Sequence, residues 1–453
     1  MRQPRVRLAQ QRKAAGYTQE GLAYELGVDR TTVTRWEAGE TEPQPWIRRK
    51  LARVLGVSPE RLTLLLTGED GGGSLPATWR TDQARAERAH HLAAVPALRI
   101  DGADWTPTSS QELATLLSTS TEPAATGDGT VTRLVHEWLV AEPPQLFELQ
   151  AGRRIGEGLV GKIERRVAEL RHMDDFVAGG DLHGLVEQEL RATAGLLHEG
   201  SYPEALGRRL LASVGELCQL AGWVLGDAGV YTAATHHFSI GLKAAHAANN
   251  VALAANLVST LAYQVSNVGN PRDAILLAQS ADTGAQRQTT PRVQALLKER
   301  VAWASAKAGE RRQTERALAA VETAYEHRRP ADDPEWIYWL DEDEINVMAG
   351  RCYVELGKAD RAVPLLSGVL DHYDERRTRE VALYTSWLAE AQLMQGAIEE
   401  AVTTATTTLN LTSQISSARS DERVNVLRAK LKPYGTVPTV ADFEAQAREL
   451  VGQ

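Results

Sequence analysis

Apolar residues fall three and four apart through short segments of the first 67 residues, a spacing that predicts small amphipathic helices. The first is Pro4–Ala15, stopped by Gly16. Thr18 is a suitable N-cap for a second over Gln19–Leu26, which Gly27 ends. Asp29 is placed to cap a third over Arg30–Ala38, closed by Gly39. Pro43 and Pro45 impose a loop before a fourth, Trp46–Leu55. Ser58-Pro59-Glu60 opens a fifth with a cap, an N1 proline and an acidic first turn. Leu22, Ala23, Leu26, Val28, Val33, Trp36, Leu51 and Leu55 are the candidate core of this head. Trp46 is read as core as well.

The pattern then changes. Gly68-Glu69-Asp70-Gly71-Gly72-Gly73-Ser74 reads as a flexible joint, and residues 68–130 as a linker with one short helix expected near Asp82–Ala94. From residue 131 to 435 the chain is helical by period, with glycine-centred breaks, and 436–453 forms a terminal helix or tail. Within that body Gly229, Gly269, Gly309, Gly357 and Gly396 recur at gaps of 40, 40, 48 and 39 residues. Seven residues before each stands a small one: Gly222, Ala262, Ala302, Gly350 and Ala389. Five after stand Ala234, Ala274, Thr314, Ala362 and Ala401. Aromatic residues follow the first three small positions, as Trp223, Tyr263 and Trp303. This is the layout of antiparallel helix pairs joined at a glycine turn, with small residues where paired helices touch.

Composition narrows the classes. At 453 residues the chain exceeds one compact core. Sixty-five alanines against 6% aromatics favour helix over sheet. No apolar run is long enough for a transmembrane span or a secretory signal. Cys218 and Cys352 are too few for a disulfide framework or a four-cysteine zinc site. The net charge of −9 divides into about +5 on residues 1–67 and about −14 on the rest. A small basic head on an acidic body suits a head that meets a polyanion.

The second and third predicted helices, joined by a short turn, have helix-turn-helix geometry. Tyr17-Thr18-Gln19-Glu20-Gly21-Leu22-Ala23, Leu26-Gly27-Val28, Thr31-Thr32-Val33-Thr34-Arg35-Trp36-Glu37-Ala38-Gly39, Leu51-Ala52 and Leu55-Gly56-Val57 together resemble the Cro/repressor (XRE) family of DNA-binding domains. The third helix would then enter the major groove. Arg30 and Arg35 are suited to bidentate contacts with guanine, and Thr31 and Thr32 to a thymine methyl or a phosphate. Thr34 belongs to the same polar face. The resemblance implies that Gln19 meets backbone phosphate and that Arg12 and Glu37 form an internal ion pair. Arg48-Arg49-Lys50-Arg53 is either a phosphate contact or a solvated face.

The body's small–Gly–Ala spacing is similar to the tetratricopeptide repeat (TPR), though its period is near 40 rather than 34 and the closing proline is missing. With Arg171-His172-Met173-Asp174-Asp175, Gly200-Ser201-Tyr202, Gly207-Arg208-Arg209-Leu210-Leu211, Leu220-Ala221-Gly222-Trp223 and Asp227-Ala228-Gly229, the chain resembles actinobacterial XRE–TPR regulators. Stacked pairs of this kind form a superhelix with a concave groove.

Other chemistry is weakly represented. The adjacent pairs His90-His91 and His236-His237 lack the i, i+4 spacing of helical metal ligands. Cys218 reads as a buried thiol and Asp341–Glu344 as a solvated helix start. Gly156-x-Gly158-x-x-Gly161 spells a dinucleotide fingerprint, but no strand is predicted before it. No catalytic residue, metal or cofactor is assigned, and an enzyme is not expected. The expected fold is all-α: a five-helix Cro/repressor-like head and a TPR-like α-superhelix. The expected function is a cytoplasmic, nucleoid-associated transcriptional regulator, a homodimer binding double-stranded DNA at a near-palindromic operator. Its body would sense a peptide, small molecule or protein and would meet no membrane. The alternative is a TPR-type scaffold with a minor or vestigial head.

Overall fold

The computed structural model describes residues 5, 8–9, 12, 17–39, 41, 43, 45–55, 62, 66, 99–100, 104–118, 131–146, 152–176, 179–286, 288–415 and 417–451. The chain divides into two compact units, residues 1–84 and 85–453. Nearly all of the described backbone is helical, so the all-α expectation holds.

In the first unit, α1 spans Gln19–Leu26, α2 Arg30–Glu37 and α3 Pro45–Val54. Thr18 caps α1, its Oγ1 accepting from the Gly21 amide at 3.0 Å, and Gly27 ends it in the left-handed region at φ 73°. Asp29 stands at the N-cap of α2 with extended backbone, but its side chain makes no capping bond. The core is Leu22, Ala23, Leu26, Val33, Trp36, Leu51 and Leu55, as read, with Val28 only partly buried. Leu8, Ile47, Leu62 and Leu66 complete it. Leu8, Ala9 and Arg12 are helical, as are Leu62 and Leu66. Arg5, within the first expected helix, is not helical; the rest of the first and fifth expected helices, and the side chain of Trp46, lie outside the described residues.

The second unit opens with α4 (Pro107–Ser118) and α5 (Val131–Val140), followed by α6 (Glu157–Met173) and α7 (Gly179–Glu199). Five antiparallel pairs follow: α8 (Glu204–Asp227) with α9 (Tyr231–Ala247), α10 (Val251–Val268) with α11 (Pro271–Gly284), α12 (Pro291–Lys307) with α13 (Arg311–Glu326), α14 (Glu342–Glu355) with α15 (Ala359–Leu370), and α16 (Thr378–Met394) with α17 (Ile398–Thr412). Helices α18 (Ala418–Leu431) and α19 (Pro438–Val451) end the chain. The first helix of each pair packs on the first helix of the next, so α8, α10, α12, α14, α16 and α18 line one inner layer.

The residues picked out by the repeat sit at the pair contacts. Ala262, Ala302, Ala389, Ala234, Ala274, Thr314, Ala362 and Ala401 are all buried. A Cβ on Gly222 would stand 2.4 Å from Phe238 Cε1, and one on Gly350 2.7 Å from Leu366 Cγ. At both points a side chain of the paired helix packs directly on the glycine backbone, which is the packing reason for the small residues. The turn glycines are left-handed at Gly229, Gly309, Gly357 and Gly396. Gly269 is the exception, with φ −117°. There the turn is made by Asn270, whose side chain accepts from the Arg272 amide ahead of an N1 proline.

Two sequence expectations need correcting. The stretch 68–130 read as linker contains α4, which packs on α7 and brings Trp105, Leu113 and Leu117 into the core. The expected helix near Asp82–Ala94 lies outside the described residues. A two-residue strand, β1 (Arg153–Arg154), does precede the Gly156 fingerprint, paired in parallel with β2 (Gly200–Ser201). A Cβ on Gly156 or Gly158 would meet nothing within 4 Å. Those glycines are therefore not demanded by crowding within the chain.

Candidate functional site

The head presents its polar face on α2. Arg30, Thr31, Thr34 and Arg35 are exposed and Thr32 is half-buried, while Val33, Trp36 and Glu37 face inward. Positions 30, 31, 34 and 35 fall on one side of a helix by its 3.6-residue period. Arg30 Nη1 lies 3.0 Å from Glu20 Oε1, a solvent-exposed pair worth at most about 1 kcal/mol. A phosphate or guanine edge can displace such a partner.

The frame behind this face is a buried charge cluster. Arg12 Nε donates to Glu37 Oε1 at 2.7 Å, and Arg12 Nη1 to the Tyr17 carbonyl at 2.7 Å. Gln19 Nε2 donates to Glu37 Oε2 at 2.7 Å, while Gln19 Oε1 accepts from Thr34 Oγ1 at 3.3 Å. The internal ion pair implied by the family resemblance is present. Gln19 is half-buried and held at the start of α1 against the recognition face, a fixed geometry that spacing alone did not reveal. In the basic cluster of α3, Arg48 Nε donates to the Pro43 carbonyl at 2.9 Å and Lys50 is exposed. The side chains of Arg49 and Arg53 lie outside the described residues.

The body encloses a second site, unseen in the sequence reading. A cavity of about 120 Å³ opens on the inner layer, walled by aromatic rings and arginines. Trp223, Tyr263 and Trp303 follow one another with ring centroids 6.0 and 6.4 Å apart, and Trp387 meets Trp303 edge-on at 5.7 Å. Guanidiniums lie over these rings: Arg300 Cζ is 4.7 Å from the Tyr263 centroid, Arg351 4.4 Å from Trp303, and Arg419 4.9 Å from Trp223. The long gap between Gly309 and Gly357 accommodates a connection that packs Trp336, Ile337 and Leu340 into the core and brings Tyr338 and Trp339 to the cavity.

The inner layer is closed upon itself. Arg379 on α16 reaches back 205 residues to Asp174, at 3.1 Å to Oδ2 and 2.7 Å to the carbonyl, and lies 3.5 Å from Asp227. Tyr338 donates to Asp175 at 3.0 Å, and Arg377 stands 3.5 Å from the same carboxylate.

Burial alone would raise the Tyr263 hydroxyl, but Arg351, Arg419 and Arg300 outweigh it and bring it down to about 8 from 10.0. The tyrosinate absorbance of the protein minus that of Tyr263→Phe is therefore expected to rise with a midpoint near pH 8. A difference signal emerging only around pH 10 would refute this reading of the cavity's field. A pKa lowered on folding means the group's stabilising contribution is complete above about pH 10 and lost as pH falls through 8.

A smaller polar cluster joins α7 to α9. His237 Nε2 lies 3.0 Å and His183 Nε2 3.8 Å from Glu187 Oε1, with these ligand atoms within 4.8 Å of one another. His183 and Glu187 stand at i, i+4 on α7, a spacing that the adjacent His236-His237 pair lacks. Arg191 Nη2 stands 3.0 Å from the other Glu187 oxygen. The His237–Glu187 pair links the two helices. Cys218 and Cys352 are buried, and burial raises both thiols, Cys352 far above the usual range.

Among known proteins, residues 8–62 match the family described as Helix-turn-helix. The match supports an XRE-type DNA-binding domain and a transcription-regulator head. No curated protein matches the chain. Among the described residues no helix is long and apolar enough to cross a membrane.

Proposed function

We propose, with the helix-turn-helix head as premise, that the chain is a sequence-specific transcriptional regulator of the actinobacterial XRE–TPR type, working in the cytoplasm at the nucleoid. In this reading the head occupies residues 1–67, a TPR-like body spans 131–435 and a terminal element 436–453. The observation that carries it is the exposed face of Arg30, Thr31, Thr34 and Arg35 on the second helix of the motif, with Gln19 clamped beside it. Arg30 and Arg35 read bases, Thr31, Thr32 and Thr34 meet methyls or phosphates, and Gln19 touches the backbone. Two heads carried by a two-fold dimer read the halves of a near-palindromic operator. The inner layer of the body senses a ligand, which changes DNA affinity by preferring one arrangement of the bodies.

The test is genome-wide recovery of bound DNA from cells expressing the protein or its Arg30→Ala/Arg35→Ala variant. Sharp peaks are expected for the protein and their loss in the variant, since each base contact is worth roughly 1–3 kcal/mol. Recovery insensitive to both substitutions would overturn the reading and leave an interaction scaffold with a vestigial head.

A further inference from the structure

Four features of the body cavity specify a ligand class more narrowly than the sensing role on which this inference rests. Its volume of about 120 Å³ is near the roughly 150 Å³ of an engineered core cavity that admits benzene. That leaves room within the walls for about one ring.

Two of its arginines carry unused donors. Arg300 and Arg351 are both more than nine-tenths buried, both line the cavity, and the Nε of each has no hydrogen-bond partner. Buried donors of this kind are rare in finished cores, because each costs the desolvation of an N–H without return. Arg351 meets the Tyr263 hydroxyl at 2.9 Å rather than a carboxylate. Arg300 Nη1 donates to Glu299 Oε1 at 2.6 Å, and burial shifts that carboxyl upward, which weakens the pair.

The four lining carboxylates are otherwise engaged. Asp174 holds Arg379 and Trp223, Asp175 holds Tyr338, Glu344 accepts from Tyr384 at 2.6 Å, and Glu380 accepts from Tyr373 at 2.8 Å. Aromatic rings pack on both guanidiniums: Arg300 Cζ lies 4.7 Å over the Tyr263 ring and 5.7 Å from Trp339, and Arg351 Cζ 5.6 Å from Tyr263, while Trp339 and Tyr338 also line the cavity.

We propose that the cavity binds a small planar carboxylate of about one aromatic ring, its carboxylate taken by Arg300 and Arg351 and its ring packed beside them against Trp339 and Tyr338. A guanidinium presents a planar fork of donors that matches a carboxylate edge-on, and a ring stacked beside it is shielded from water. The site is assembled from α10, α12, α14 and the connection before α14. An occupant therefore bridges successive pairs, as a ligand that biases their arrangement must.

Benzoate is the probe. Calorimetry on the full chain should show one benzoate bound per chain and about tenfold or weaker binding of benzamide, its neutral isostere. Arg351→Met and Arg300→Gln, made separately, should each weaken benzoate by about tenfold or more. The exposed Arg316→Ala should leave it unchanged. Absence of benzoate binding, equal binding of benzamide, or full affinity in a folded Arg351→Met or Arg300→Gln chain would overturn the site. The comparison of benzoate with benzamide needs no variant and stands even if both substitutions prevent folding. DNA affinity with and without benzoate then reads the coupling: binding without a change in DNA affinity would refute the sensing role while leaving the site.

Discussion

Replacing Glu37 with alanine is expected to unfold the head while the body keeps its structure. The Glu37 carboxylate is 9% exposed and takes hydrogen bonds from Arg12 and Gln19. Its removal strands the buried Arg12 guanidinium and releases Gln19 from beside Thr34. Breaking one side of a buried ion pair costs about 3–5 kcal/mol. A domain of this size has roughly 3–5 kcal/mol in all, so the loss is comparable with the whole. Hydrogen exchange on the full chain should show the amides of α1 and α2 losing protection while those of α10 and α12 keep theirs. Operator binding should fall with them. Glu37→Gln, which retains an acceptor but not the charge, should fall between. Retained protection in α1 and α2 of Glu37→Ala would show that the charge cluster is incidental to the fold.

Arg379→Ala carries the second large effect, here in the body. Its guanidinium reaches Asp174 and lies close to Asp227, which is 2% exposed, although Arg419 and Ser417 also hold Asp227 at 3.0 Å. The expected loss is about 3 kcal/mol, the lower end for a broken buried pair, because of those remaining partners. A urea titration of the body should show an earlier midpoint, and protection near Asp174 should fall together with that of α16. An unchanged midpoint would mean that the closing contacts are no stronger than ordinary surface pairs.

The head was legible because its signals are local. Thr18, Gly27 and Gly39 mark helix ends by their own chemistry, and Leu22, Val33 and Trp36 mark an inward stripe. What spacing did not show was the path of side chains: Gln19 was assigned to phosphate, and its grip on Glu37 depends on three helices meeting. In the body the small residues at the pair contacts were legible for the same local reason. The cavity was not, because its walls come from helices far apart in sequence. A signal was nevertheless present at the position after each small residue, which reads Trp223, Tyr263, Trp303, Arg351 and Glu390. Those side chains face the inner layer, and the switch from aromatic to charged residues marked a change of task there. Helix α4 is hard to read because Pro107 opens it and a run rich in Ser, Thr, Ala and Gly follows from Ser118. In the structure Thr106 and Ser109 cap each other's amides, and Trp105 donates to Ser110 at 2.9 Å.

An array of helix pairs is ordinarily open-ended: each pair touches only its neighbours, so units can be gained or lost at either end at the cost of one interface. The bridge from Asp174 and Asp175 to Tyr338, Arg377 and Arg379 removes that freedom. Inserting or deleting a pair between them would carry the partners past one another and sever the bridge, so the number of pairs is itself a specified property of the chain. The body should then be lost as a whole when shortened by a unit, and its lineage would change by substitution within pairs rather than by duplication of them.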